Sequence, residues 1–258
     1  MTAKDTTDTT STANAMIECI HPAWPAPPAV RACTTTRIGG VSKGRWAGLN
    51  LGDHVGDDSD AVAENRARLS AELRLPEEPH WLDQVHGTRV CMPSAGNALP
   101  ADACFEDRPG RVCAVLTADC LPVLFCNLSG TRVAAAHAGW RGLLAGVLEQ
   151  TAAAFEDSPD RLMAWLGPAI GAAAFEVGDE VRISFLSEDP AGGPRFRDHG
   201  AGHWLADLYG LARDRLARIG IGSVSGGDFC TFSDPARFFS YRRDGVSGRM
   251  ASLIWLQP

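Results

Sequence analysis

The sequence predicts an α+β fold, a single mixed α/β domain, and three observations carry that prediction. Leu121–Cys126 and Val133–Ala136 are apolar at every position, the pattern of strands buried on both faces. Just downstream, Trp140, Leu143, Leu144, Val147, Leu148, Thr151, Ala152 and Phe155 recur at helical spacing, one stripe of a long helix that must pack on a sheet. No internal repeat or linker interrupts the 258 residues, of which 45% are hydrophobic and 21% charged, the composition of an ordinary globular protein.

The elements follow in order. Residues 1–15 (MTAKDTTDTTSTANA) lack an apolar core and read as a disordered polar tail, leaving 16–258 as one catalytic domain. Met16–Ile20 and Ala32–Arg37 have strand propensity, and a glycine-rich loop (IGGVSKGRWAGLNLG) follows them. Asp57 and Asp58 are set to cap a helix ending at Leu73, with Val62, Leu69 and Leu73 inward. PHWLDQVHGTRVCMP predicts strand, His86-Gly87 turn, strand. Val112–Leu116 is a strand after the turn at Pro109-Gly110, and Asn127–Gly130 has the composition of a hairpin loop. With those four residues as the whole loop, Cys126 faces Thr131 and Cys120 faces His137. Pro122, which cannot donate to a ladder, is the place where that register can shift. Leu162–Leu166 reads as a buried strand, Val177–Phe185 and Leu205–Ile219 as helices, and Ser187–His203 as a polar surface insertion. The last segment, FFSYRRDGVSGRMASLIWL, suggests a hairpin turning at Asp244-Gly245 and a final buried strand.

Charge and cysteine content narrow the function. A net charge of −7 argues against general nucleic-acid binding, and no apolar run reaches the length of a membrane span. Eight cysteines without a CxxC pair or a signal peptide indicate reduced thiols and a cytoplasmic location. Directly opposed strand residues lie close enough to share a metal or exchange a proton, so Cys120 and His137 form a candidate site, with His86 as a third member. Two imidazoles and one thiolate are the set that a catalytic zinc needs, with a position left open. The same residues allow a metal-free nucleophile–base pair, a copper site, or a structural zinc with Cys230 as fourth ligand. A multicopper cluster is excluded: it needs many more imidazoles, and the seven histidines include no His-x-His pair. Asp83 and Asp119 are candidates for orienting a ligand histidine. Arg37, Arg141, Arg242, Arg243 and Arg249 are candidate phosphate ligands, Arg141 foremost because it falls at a helix N-terminus beside the site.

The motifs TTTRIGGVS, GLNLGDHVGDD, ENRARL, WLDQVHG, TADCLPVLFCN, AAAHAGWRG, AWLGPAIG, FEVGDEV and FFSYRRDGVSGRMASLIWL together resemble the YfiH family, its enterobacterial members above all. That family carries the labels polyphenol oxidase and laccase domain and is regarded as a purine nucleoside phosphorylase. The resemblance runs from about Cys33 to the C-terminus. It implies a sandwich similar to the cytotoxic necrotizing factor deamidases, and metal ligands at His86, Cys120 and His137, with zinc, or alternatively copper, as the ion. It also implies phosphorolysis of adenosine, inosine and methylthioadenosine, adenosine deamination at the same centre, and Arg37 and Arg141 as substrate-binding residues. A peptidoglycan-precursor editing hydrolase is the alternative it leaves, with copper polyphenol oxidase and a non-catalytic zinc protein behind. Cys230–Phe232 reads CTF where the family pattern has CTY.

Overall fold

Residues 16–92 and 100–258 are described by the computed structural model of the chain; the expected tail at 1–15 lies outside them. The strands are β1 (Cys19–Ile20), β2 (Val30–Thr35), β3 (Val90–Cys91), β4 (Ala103–Glu106), β5 (Val112–Thr117), β6 (Leu121–Asn127), β7 (Val133–Ala138), β8 (Leu162–Leu166), β9 (Glu176–Gly178), β10 (Phe196–Asp198), β11 (His203–Ala206), β12 (Ser223–Gly226) and β13 (Met250–Leu256). The helices are α1 (Ser59–Leu73), α2 (Trp140–Ala145), α3 (Val147–Ala153), α4 (Asp179–Glu188), α5 (Leu208–Arg218) and α6 (Tyr241–Asp244).

Two sheets stack face to face. One has the order β1-β2-β13-β5, the other β12-β8-β6-β7-β4-β3, and a small β10-β11-β9 sheet stands apart. Val115, Cys113 and Ile254 of the first sheet meet Leu124, Cys126, Ala135 and Trp165 of the second. The outer face of the first sheet, through Val112, Ala114 and Leu253, packs on Leu69 of α1 and on Leu49 and Leu51 of the glycine-rich loop. On the far side, Val123, Phe125 and Ala134 pack on Leu143, Leu148, Phe155 and Leu211. Both sheets are therefore covered on both faces, which is why β5, β6, β7 and β13 are buried at every position. Each large side chain so buried contributes about 1.5–3 kcal/mol, and the result is the mixed α/β sandwich that the family resemblance implied, with the apolar runs as its doubly covered strands.

The first helix matches its expected cap, since the Asp58 carboxylate accepts the Asp60 N–H. Other local expectations need correction. Asn127 closes strand β6: its side-chain oxygen accepts the N–H groups of Thr131 and Arg132, and Gly130 takes φ +66°. The loop is thus 128–131, and Cys126 pairs with Val133 and Pro122 with His137. A two-residue shift keeps every side chain on its face, so Cys120 lies diagonal to His137 instead of opposite. The long helix breaks at Gly146, whose φ of +98° separates α2 from α3 and which no β-carbon penalises. In the stretch 79–85, expected as a strand leading into the His86 turn, only isolated bridges form, at His80 and Asp83. The stretch expected as an insertion supplies β10 and the start of β11, and Leu205 belongs to β11, so the following helix begins at Leu208. Val177 is likewise in a strand, with its helix starting at Asp179. Asp244-Gly245 ends the short helix α6 rather than turning a hairpin, because β13 pairs with β2 and β5, distant in sequence.

Candidate active site

Three chain segments converge at the end of β7. His137 is the fifth residue of that strand and is only 3% exposed. Cys120 ends the loop between β5 and β6, and His86 sits in the turn before β3. Their ligand atoms lie within 4.8 Å of one another; Cys120 Sγ and His86 Nε2 are 3.9 Å apart. The two imidazoles meet edge to face, with ring centroids separated by 4.8 Å.

Strain and close packing hold these segments. His86 (φ +61°) and Asp119 (φ +90°) both occupy the left-handed region, which costs a non-glycine residue of order 1–3 kcal/mol and persists only when its surroundings enforce it. Asp119 is enforced by its carboxylate, which accepts the Thr231 hydroxyl at 2.6 Å and the Arg242 N–H at 2.7 Å. The turn at His86 is enforced by Asp102, whose carboxylate accepts the N–H groups of Val85, His86 and Gly87. A β-carbon on Gly139 would lie 3.0 Å from Cys120 Sγ and 3.1 Å from His86 Cδ2, so a bare backbone lets the start of α2 close on the site.

Asp102 is the functional side chain the sequence reading missed. It accepts the His137 Nδ1–H at 2.8 Å, whereas neither Asp83 nor Asp119 contacts a histidine side chain among the hydrogen bonds of the described residues. The register explains this: Ala103 pairs with Ala136, so Asp102 falls opposite His137. The visible trace was a carboxylate between two apolar residues, Ala101 and Ala103, entering a buried strand.

The electrostatics follow from this packing. Burial pushes the Cys120 thiol up, but the charge of His137 and hydrogen bonds from His137 and His86 prevail and bring it to about 6. Burial pulls His137 down, yet the Cys120 thiolate and the Asp102 carboxylate raise it to about 9. Asp102 itself is raised by burial, but the His137 and Gly87 hydrogen bonds, the charge of His137 and the His86 hydrogen bond together lower it. A thiolate–imidazolium pair braced by a carboxylate results.

The donor set fits a metal. Zinc bonds of about 2.0–2.3 Å place tetrahedral ligand atoms roughly 3.3–3.6 Å apart, a small contraction from the separations present. Because Nδ1 of His137 is engaged by Asp102, Nε2 remains as the donor, the arrangement usual for a metal-bound imidazole. Cys230 does not belong to the cluster; its sulfur engages the Gly171 N–H and the Ser233 hydroxyl.

Among the arginines, Arg141 is exposed on α2, two residues beyond Gly139, and lies over the Trp140 ring at 4.3 Å. Arg37 donates to the carbonyls of Ala47 and Pro235 and lies over Phe239. Arg243 is similarly occupied by the carbonyls of Thr231, Phe232 and Phe238. Arg242 donates to the Glu176 carbonyl. Arg249 donates to the carbonyls of Ser247 and Gly248; burial lowers its pKa, partly offset by the charges of Cys120 and Asp119.

Comparison with known proteins gives the family. Residues 31–257 match the family described as multi-copper polyphenol oxidoreductase laccase. An Escherichia coli protein named purine nucleoside phosphorylase YfiH is 56% identical over 93% of this chain and 100% of its own length. A Pseudomonas aeruginosa purine nucleoside phosphorylase is 56% identical over 92% of this chain and 98% of its own. A crystal structure of a Neisseria meningitidis protein superposes with a TM-score of 0.90 at 51% identity, covering 93% of this chain and 99% of that one. YlmD from Geobacillus stearothermophilus gives 0.86 at 31% identity, over 95% and 100%.

Proposed function

The chain belongs to the laccase-domain family that includes YfiH, and on that premise we propose that it is a metal-dependent purine nucleoside phosphorylase. Its substrates in this reading are adenosine, inosine and methylthioadenosine, with phosphate as co-substrate, and adenosine is also deaminated at the same centre. The observation that carries the proposal is the convergence of His86, Cys120 and His137 within 4.8 Å, in a chain so similar to proteins named for this activity.

His86, Cys120 and His137 would hold zinc, copper being the other ion the donors suit. Bound there, zinc supplies a Lewis acid that acidifies water and stabilises developing negative charge. Asp102 keeps the His137 Nδ1 proton in place, and the bare backbone at Gly139 lets α2 start against Cys120 and His86 without a side chain between them. In phosphorolysis a phosphate oxygen bonds to ribose C1′ as the bond to the purine nitrogen breaks, and the leaving purine takes up a proton. Arg141 is the cation proposed to hold that phosphate, since it is exposed beside the site. Arg37 is the second cation proposed to bind the phosphate; its guanidinium already donates to the carbonyls of Ala47 and Pro235. In deamination, water adds at purine C6 and ammonia leaves.

The test is incubation of the pure protein with adenosine, with and without phosphate, and identification of every product. Adenine and ribose 1-phosphate form only with phosphate, because phosphate is the attacking group; inosine forms in either case. Cys120→Ala abolishes both. Untouched adenosine, with release of an amino acid from a nucleotide-linked muramyl substrate, would favour the editing hydrolase. Oxygen uptake with phenols after copper loading would favour the oxidase. Absence of phosphate-dependent adenine release from folded, zinc-loaded protein defeats the proposal.

A further inference from the structure

We infer that Asp102 is the positioning residue that sets both histidines of the site at once. The inference rests on reading His86, Cys120 and His137 as the working centre. Four donors converge on this one carboxylate, which is 0% exposed. Oδ1 accepts the His86 backbone N–H at 2.8 Å and the His137 Nδ1–H at 2.8 Å. Oδ2 accepts the Gly87 N–H at 2.6 Å and the Val85 N–H at 3.2 Å. Its main chain takes part as well: the Asp102 carbonyl accepts the His137 N–H at 2.7 Å, and the Asp102 N–H donates to the Arg89 carbonyl at 3.1 Å. One residue therefore grips the His86 turn on both sides and clamps the imidazole opposite it.

The two histidines need different help. His137 lies in a regular strand, so its backbone is set by the sheet and only its ring requires fixing. An Nδ1–H held by a carboxylate leaves Nε2 as the donor facing Cys120 and His86. His86 lies in a turn at φ +61°, where an ordinary side chain resists the backbone conformation. There the help must go to the main chain, and three consecutive N–H groups receive it. Asparagine cannot replace this group. With its oxygen at the Oδ1 position, its NH2 faces the N–H groups of Val85 and Gly87; flipped, it faces those of His86 and the His137 ring. One arm is lost in either orientation. Aspartate is required by donor count rather than by charge alone.

The experiment compares wild type with Asp102→Asn and Asp102→Ala. Zinc affinity is read by competition with a chromophoric chelator. The His137 Nδ1 proton is read by nitrogen-15 spectroscopy of the metal-free protein, and the Val85–Gly87 amides by hydrogen exchange. Wild type shows a slowly exchanging Nδ1 proton and protected amides. The variants lose that proton signal or the amide protection and bind zinc about 10–100-fold more weakly, the usual cost of removing such a partner. Variants that melt earlier yet keep the proton signal and bind zinc within about twofold of wild type would make Asp102 a mere structural brace and overturn the inference. If neither variant folds, wild type decides: a freely exchanging Nδ1 proton and unprotected amides overturn it, and their protection supports it. Failure of wild type to bind zinc would sink the metal reading alone, since the proton and amide measurements do not need the ion.

Discussion

In the chelator-treated protein, the Cys120 thiol is expected to titrate at about 6 instead of its ordinary 9.0. Burial opposes this shift; the positive charge of His137 and hydrogen bonds from both histidines drive it. His137 rises to about 9 for the complementary reason, and the two groups titrate as a pair. A raised histidine contributes stability below its unfolded value of 6.5 that is lost as pH rises through about 9. A depressed cysteine contributes stability above its unfolded 9.0 that is lost as pH falls through about 6. Between these limits the folded pair holds one proton and so does the unfolded pair. Stability therefore changes little with pH over that window, and thiol reactivity is the informative observable. At pH 7 roughly nine-tenths of Cys120 is thiolate, against about 1% for an unshifted thiol, near a 90-fold gain. A less basic thiolate attacks more slowly, by about 15–30-fold over three units, so the net rate gain is only about three- to sixfold. The midpoint, not the rate, is decisive. The assay is the pH dependence of reaction with a dipyridyl disulfide, with Cys120→Ala as background. Cys91 and Cys126, pushed up to about 12 by burial, stay protonated. A midpoint near 6 is expected, moving to 9 or above in His137→Asn; a wild-type midpoint near 9 refutes the ion pair.

Three further outcomes are expected. Protein purified without added metal carries about one zinc per chain by elemental analysis, and His86→Ala, Cys120→Ala and His137→Ala each remove it. Metal retained in an inactive Cys120→Ala would instead favour a nucleophilic cysteine. Arg141→Ala weakens use of phosphate more than use of nucleoside, by about ten- to a hundredfold, the loss of roughly 1.5–3 kcal/mol from a charge-assisted contact; an unchanged apparent affinity for phosphate removes Arg141 from the site. Gly139→Ala puts a β-carbon 3.0 Å from the Cys120 sulfur, so zinc affinity falls at least about tenfold while the circular dichroism of the fold is unchanged.

The sequence by itself determined the mixed helix-and-sheet class, because unbroken apolar runs such as Leu121–Cys126 and Val133–Ala136 have the pattern of strands buried on both faces and the helical stripe from Trp140 to Phe155 needs a sheet to pack on. It singled out three candidate donors too, His86, Cys120 and His137, by residue type at turns and strand ends and by the family motifs around them, and the structure brings their ligand atoms within 4.8 Å. Short-range chemistry was legible as well, as with the Asp58 cap. What only the tertiary structure decided depends on pairings between distant segments. Asp102 meets His137 because β4 lies against β7, and no local pattern encodes that neighbour. The exact hairpin register depended on which residues Asn127 would bond, a competition between turn geometries of similar energy. Gly146 broke a helix whose apolar stripe ran through it, since glycine enters the left-handed region at little cost and tertiary packing then selects the bend. The place of β13 between β2 and β5 was equally hidden, for strand order is chosen by the packing of whole sheets and leaves no periodicity in the chain.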